Sequence, residues 1–470
     1  MAVALGGRLH GDDMRVRRVV VDSREAGPGD LFFALAGTRT HGHTFLEDAF
    51  HRGASAAVVE DASLAAWPII EVPDTAAALL AMAAHERRAS GARVVGITGS
   101  SGKTITKDLA RAALSTTYRV HASPRSFNNQ VGLPLTILGA GPGTDVLVCE
   151  IGAGVLGEIS RLCEVARPDV GIVTNVGLAH VETFGSPRRI RRAKAELVEA
   201  LPARGLAILN ADDRVVRRYA SRTVAGLLTY GRSIGAMVRA EDVVVGPDGR
   251  ASFTLVAQGS RVRVELQAPG EHLVANALAA AACATGMGVP ATTCAEAFRH
   301  AELSPWRMEV ATRPDGVVIL NDAYNANPGS MEAALKTARA MACPQGRAVA
   351  VLGHMAQLGR WSSREHRRIG ARAAALAFDR LVLVGVEAWG IADGAARAGM
   401  PESRMAVCRD LDEAVACVSM SVQAGDIVLV KGSRVVGLER LASVLLSGAA
   451  ERVTAAGVET GASRSAAPWP

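Results

Sequence analysis

Arg93-Val94-Val95-Gly96-Ile97-Thr98-Gly99-Ser100-Ser101-Gly102-Lys103-Thr104-Ile105-Thr106-Lys107 is the stretch that decides the fold. Its first six residues form a β-branched run that predicts a strand. A glycine-rich loop follows, and a helix is expected from about Lys103. Strand, loop, helix is the context that a phosphate-binding loop requires, because backbone N–H groups at a helix N-terminus point at the anion. The strict pattern asks for glycine at the position held here by Ile97. What stands is Gly99-x-x-Gly102-Lys103-Thr104. Gly99, Ser100, Ser101, Gly102, Lys103 and Thr104 are therefore expected to cradle a nucleotide. Lys103 would neutralise β/γ-phosphate charge and the Thr104 hydroxyl would reach Mg²⁺.

Working outward, the chain has 52 Lys+Arg, yet only Lys103, Lys107, Lys194, Lys336 and Lys431 are lysines. Codon bias explains the arginines. The surviving lysines fall close to motifs, where a compact, titratable amine does what a guanidinium cannot. The net charge, 52 − 46 = +6, suits an anionic substrate. The basic residues are scattered, and aromatics make up only 4 %. That pattern speaks against nucleic acid as a partner. Seven cysteines without a C-x-x-C pair argue against a disulfide framework or zinc site and fit a reducing cytoplasm. The first residues lack a signal-peptide pattern, and no run of 18 apolar residues appears, so no membrane span is expected.

A chain of 470 residues exceeds one core, so several domains are expected. Residues 17–90 mix short strands (Arg18–Asp22, Asp30–Ala36, Ala56–Glu60, Pro68–Val72) with helices at Thr44–Arg52 and Thr75–Ser90, a small α/β unit. After Gly91-Ala92, strands Arg93–Thr98, Val146–Ile151, Val170–Asn175 and Leu206–Asn210 alternate with helical stretches such as Pro187–Leu201. This alternation implies a mostly parallel sheet. Residues 236–267 alternate polar and apolar around Gly246-Pro247-Asp248-Gly249, which predicts an antiparallel hairpin at the edge of that sheet. Around Arg307–Thr312 the pattern restarts, with strands Val317–Asn321, Arg347–Leu352, Arg380–Val384 and Ile427–Lys431. The expected domains are 1–91, 92–311 and 312–447, with a disordered Ala/Gly/Ser-rich tail over 448–470.

Open α/β sheets bind ligands at the carboxyl ends of their strands. Glu150 follows Val-Leu-Val-Cys there, and Asn175 follows Gly-Ile-Val-Thr with His180 five residues on. Asp322 follows Val-Ile-Leu-Asn. A carboxylate near phosphate is a plausible Mg²⁺ ligand, more so than an imidazole. Each residue taken singly also suits a cap or turn. Lys194, in Arg-Arg-Ala-Lys-Ala-Glu-Leu, also reads as a solvated base on a polar face, a reading that the scarcity of lysine weakens without removing.

Taken together the motifs resemble the Mur ligases. The resemblance runs from about Val21 to Leu446. It rests on Asp22-Ser23-Arg24 with Gly29-Asp30-Leu31-Phe32, on Gly99–Lys107, and on Asn128-Asn129-Gln130-Val131-Gly132-Leu133-Pro134. It continues in Glu150-Ile151-Gly152-Ala153, Asn175–His180, Phe184-Gly185-Ser186, Ala193-Lys194-Ala195-Glu196 and Asn276-Ala277-Leu278. Arg307-Met308-Glu309, Asp322-Ala323-Tyr324-Asn325-Ala326-Asn327-Pro328 and Lys431-Gly432-Ser433-Arg434 complete it.

The resemblance implies three α/β domains: a small N-terminal domain for a UDP-sugar, a central phosphate-loop ATPase and a C-terminal Rossmann-like domain. It implies ATP-dependent activation of a carboxylate as an acyl phosphate, then attack by an amine. The Asp-Ala-Tyr-Asn-Ala-Asn-Pro block points to the branch joining D-alanyl-D-alanine to UDP-N-acetylmuramoyl-tripeptide. Lys103, Glu150, His180 and Lys194 would be catalytic. Thr104 and Glu150 would hold one Mg²⁺, His180 and a carbamylated Lys194 a second. Asn276, Arg307 and Asp322 would contact adenine, phosphate and ribose. Asp22, Ser23 and Arg24 would belong to the uridine site, and Asn128, Asn129, Tyr324, Asn325 and Lys431 to the substrate site. A cytoplasmic monomer acting on small molecules is implied. The sequence departs from the family at His354 and Gln357, where acidic residues are usual, at Leu273, where Asn usually follows the histidine, and at His41. A relative that joins another amine therefore stays open.

Overall fold

The structure, a computed structural model, describes residues 1–37, 40–64, 67–342 and 346–447. The Ala/Gly/Ser-rich tail expected over 448–470 lies outside them, as does Cys343. Three sheets are present among the described residues. The chain divides into two compact units, Met1–Pro305 with two of the sheets and a second beginning at Trp306. The fold is the expected α/β arrangement in three domains.

The first sheet has the order β1-β5-β4-β3-β2: β1 (Arg8–His10), β2 (Arg18–Val20), β3 (Asp30–Phe33), β4 (Ala56–Val59) and β5 (Ile69–Glu71). Leu31 and Phe33 pack into one core, with Val58 and Ile70, and Phe32 into another, with Ala57, Val59 and Ile69. Successive side chains of a strand point to opposite faces, so a sheet covered on both sides reads as a continuous apolar run. β1 pairs antiparallel with β5 and is not legible in the sequence. The predicted Thr44–Arg52 helix is a 3₁₀ turn (Gly42–Phe45) running into a helix at Leu46–His51.

The second sheet has the order β14-β13-β12-β11-β10-β9-β6-β8-β7. Its strands are β6 (Arg93–Thr98), β7 (Val120–Ala122), β8 (Val146–Glu150), β9 (Val170–Val173), β10 (Leu206–Asn210), β11 (Gly226–Gly231), β12 (Val238–Val245), β13 (Arg250–Ala257) and β14 (Ser260–Pro269). From β7 to β12 every pairing is parallel. The alanine-rich helix Leu273–Gly286 covers one face, where Ala277–Ala284 are buried against Val95, Ile97 and Val148. Helices Glu158–Ala166 and Pro187–Glu199 cover the other, against Val94, Leu147 and Cys149. The predicted edge hairpin is a three-stranded meander. Its second turn, Gln258-Gly259, has both residues at positive φ (52° and 75°), as a two-residue turn demands. Glutamine is an unusual occupant there, which hid the turn.

The third sheet has the order β15-β16-β20-β17-β18-β19: β15 (Glu309–Thr312), β16 (Val318–Asn321), β17 (Ala348–Gly353), β18 (Arg380–Val384), β19 (Met405–Cys408) and β20 (Ile427–Lys431). β15 is the antiparallel edge strand of an otherwise parallel sheet.

Candidate active site

In the second sheet β6 lies between β8 and β9, with Ile97 opposite both Glu150 and Ile172. The chain runs from β6 toward β7 and β8 on one side and toward β9 on the other. At such a topological switch point a crevice opens beyond the strand ends. The Gly99–Thr104 loop leaves β6 there and enters the helix Lys103–Leu114.

Two glycines let the loop close. Gly99 has φ +150° and Gly102 φ +80°. A side chain at Gly99 would strike the Thr174 hydroxyl, and one at Gly102 the Asn276 amide. The residues that exclude a Cβ also bind the loop. Thr174 Oγ1 donates to Ser101 O at 2.6 Å and Asn175 Nδ2 to the same oxygen at 3.0 Å. Asn175 Oδ1 accepts from Ser101 N (3.0 Å), and Asn276 Nδ2 donates to Gly102 O (3.1 Å) and Thr106 Oγ1 (3.0 Å). Lys103 Nζ folds onto Gly99 O at 3.1 Å.

Beyond the loop, the buried Thr104 hydroxyl donates to Glu150 Oε2 at 2.7 Å and lies 3.1 Å from Ser126 Oγ. Asn128 Nδ2 donates to the other oxygen, Glu150 Oε1, at 2.7 Å. Asn129 faces elsewhere: its side chain accepts from Val131 N and Gly132 N, turning the chain into the next helix. A hydroxyl and a carboxylate side by side next to a phosphate loop form a fitting donor pair for a hard cation.

His180, at φ +55°, begins the short helix Val181–Phe184. Lys194 projects from the next helix, which Ser186 starts by accepting from Arg189 N. Lys194 is 3 % exposed, and Nζ lies 5.9 Å from the centre of the Phe184 ring. Among the described residues no hydrogen bond or ion pair holds that amine. Burial, helped by the charge of Lys103, pushes its pKa down to about 7, while Glu196, Glu150 and Glu158 pull the other way. The solvated-base reading of Lys194 is thus excluded. Among the described residues no three His, Cys, Asp or Glu side chains cluster as a metal cage.

Asp22 and Arg24 hold each other (2.9 and 2.6 Å) beside the first sheet, and that contact keeps the Asp22 pKa low. In the second unit Lys431, 2 % exposed, donates to Asp322 Oδ2 (2.5 Å), Asn325 O (2.9 Å) and Asp322 O (3.4 Å). Arg307 stacks on Tyr324 at 4.0 Å. The loop carrying His354 and Gln357 is pinned by Ser433: its N–H donates to His354 O (3.1 Å) and its Oγ accepts from Ala356 N (2.8 Å). Met355 N also donates to His366 Nε2 (2.9 Å), so the His366 proton sits on Nδ1, 2.8 Å from Ser362 O. Gln357 is exposed.

The structure thus brings Lys103, Thr104, Asn128, Glu150 and Asn276 together around the loop. Ser126 and Thr174 were not expected there and carry no motif that would have marked them, whereas Lys107 closes the Arg93–Lys107 stretch with no role of its own expected. Lys336 is the ordinary lysine, exposed and paired with Glu332 at 3.0 Å one helical turn away.

This arrangement is that of a phosphate-loop ligase. Residues 15–99 match the model of the Mur ligase family catalytic domain, 97–284 that of the Mur ligase middle domain, and 306–434 that of the Mur ligase glutamate ligase domain. The chain belongs to the Mur ligase family, enzymes that form C–N bonds at the expense of ATP. It is 40 % identical to the UDP-N-acetylmuramoyl-tripeptide–D-alanyl-D-alanine ligase of Mycobacterium tuberculosis, over 91 % of this chain and 92 % of that one. With the Escherichia coli enzyme of the same name it shares 34 % identity, over 94 % and 96 %. The crystal structure of MurF from Acinetobacter baumannii superposes with a TM-score of 0.85 at 29 % identity, covering 95 % of this chain and 97 % of that one. MurF of Thermotoga maritima in complex with ADP gives 0.80 at 28 %, covering 94 % and 100 %.

Proposed function

We propose that this enzyme joins D-alanyl-D-alanine to UDP-N-acetylmuramoyl-tripeptide in the cytoplasm, driven by ATP and Mg²⁺. The observation that carries the reading is the Thr104–Glu150–Asn128 cluster at the phosphate loop, with the buried Lys194 amine in the fields of Lys103 and Glu150. On this reading residues 1–91 hold the UDP-sugar, with Asp22, Ser23 and Arg24 at the uridine. The nine-stranded domain, which the sequence bounds at 92–311 and the fold ends at Pro305, holds ATP; the unit that begins at Trp306 forms the Rossmann-like domain, with Arg307 and Asp322 serving phosphate and ribose.

Loop N–H groups and Lys103 orient the γ-phosphate toward the substrate carboxylate. The carboxylate attacks phosphorus and ADP leaves. The dipeptide amine then attacks the acyl phosphate and releases phosphate. Lys103 is aimed at charge that grows as phosphoryl transfer proceeds, where preorganised donors act most strongly. Mg²⁺, when bound, would neutralise phosphate oxygens. Thr104 and Glu150 fit one such ion. His180 and Lys194 would hold a second only if Lys194 is a carbamate, since an ammonium has donors alone. A carbamate forms on a neutral amine, and burial makes Lys194 neutral at an accessible pH.

The test is phosphate release from ATP with UDP-N-acetylmuramoyl-tripeptide, with and without D-alanyl-D-alanine. Release that requires both, with formation of the pentapeptide product, is the expected result. Absence of that product, or release with another amine only, would overturn the assignment.

A further inference from the structure

Lys107 lies one turn beyond Lys103, yet it cannot touch a nucleotide from the loop side. It is 2 % exposed and points into the protein. Its Nζ donates to Ser123 O at 2.8 Å and Arg125 O at 2.6 Å, and lies 3.1 Å from Asp108 Oδ1. An ammonium has three N–H donors, and here three oxygens surround it. The other Asp108 oxygen accepts from Ser304 N at 2.7 Å, so the carboxylate is occupied on both sides.

What the ammonium grips is the segment that delivers half of the cluster at the phosphate loop. Ser123 Oγ accepts from Glu150 N at 3.1 Å. Ser126 meets Thr104 and Asn128 meets Glu150. Between them Arg125 adopts φ +48°, a left-handed conformation uncommon for a side-chain-bearing residue and kept only where its surroundings enforce it. The Arg125 carbonyl is the oxygen that Lys107 holds most closely. A planar guanidinium cannot present three short, convergent donors from the same stem, which gives a reason for lysine in a chain that otherwise writes arginine.

We propose that Lys107 is a positioning residue of this ligase. It pegs Ser123–Arg125 to the phosphate-loop helix so that Ser126 and Asn128 aim Thr104 and Glu150 at the cation. The inference rests on the reading of Thr104 and Glu150 as Mg²⁺ ligands.

The experiment titrates Mg²⁺ at a fixed concentration of a non-hydrolysable ATP analogue and follows binding to the full chain. Lys107→Met removes the donors, Lys107→Met with Asp108→Asn also removes the stranded carboxylate charge, and Lys107→Arg keeps the charge. Loss of a partner that orients metal ligands lowers metal affinity about 10–100-fold. The expected result is a shift of that order in Mg²⁺ half-saturation in all three. In the double variant the unfolding midpoint stays near that of the parent, and kcat falls more than KM for ATP rises. A folded double variant or arginine variant with the parent's Mg²⁺ curve would overturn the proposal. A parent whose analogue binding ignores Mg²⁺ would instead sink the metal-site reading beneath it.

Discussion

At the residue scale the site turns on amines with different environments. On the proposed reading, Lys103 and Thr104 serve phosphate and cation rather than packing. Lys103→Ala and Thr104→Ala should each lower ATP turnover at least about a hundredfold, the scale seen when a donor to transition-state charge is removed. Unfolding midpoints should stay close to the parent's. Unchanged turnover in either variant would remove the loop from the mechanism. Lys194 makes a prediction in stability. Its folded pKa is depressed from 10.5 to about 7, so between those values the unfolded chain binds more protons than the folded one. Burying Lys194 therefore costs most below pH 7, and the cost fades as pH rises toward 10.5. In CO₂-free buffer Lys194→Met should be more stable than the parent at pH 7, with the advantage vanishing near pH 10. A pH-independent difference would show that the amine is not desolvated. In bicarbonate, the parent's activity should rise and that of Lys194→Arg should not, because a guanidinium carries no carbamate. The sequence marked most of these residues. It could not mark Ser126 or Thr174, whose roles come from meeting Thr104 and Ser101 across more than twenty and seventy residues of chain.

At the element scale the phosphate loop is a turn whose shape depends on absent side chains. Gly102→Ala must place a Cβ against the Asn276 amide at φ +80°. The left-handed conformation alone costs about 1–2 kcal/mol. The variant should lose about that much unfolding free energy in a denaturant titration and lose most analogue binding. Parent-like behaviour in both measurements would mean that the loop rearranges freely. Elements with strong patterns were legible. β6 and the helix after it fall where the β-branched run and the glycines put them, and Pro187–Glu199 starts behind its serine cap. β1 and β7 were not legible, being three-residue strands with no apolar period to read. The third strand of the meander was hidden by its Gln-Gly turn. Short edge pieces gain their order from the partner strand, which lies far away in sequence.

At the scale of the whole molecule the chain matches all three Mur ligase domain models, while the His354–Gly359 loop carries no carboxylate. If acidic residues there receive the dipeptide's ammonium in relatives, restoring them should strengthen that attraction. His354→Asp with Gln357→Glu should lower KM for D-alanyl-D-alanine about tenfold, roughly 1.4 kcal/mol, and leave KM for ATP unchanged. An unchanged KM for the dipeptide would assign amine recognition to other residues. The loop's anchors, Ser433 and His366, are untouched by these changes, so its backbone should hold.

The distribution of the five lysines has a practical consequence. Lys107, Lys194 and Lys431 are buried, Lys103 is folded onto its loop, and Lys336 alone stands exposed on a helix. Native protein treated with an amine-reactive ester should carry its label at Lys336, the α-amine aside. One dye or one surface tether can then be attached without engineering the chain. A protease that cuts after lysine would find few cleavable bonds until the fold opens, so its digestion rate would report global unfolding.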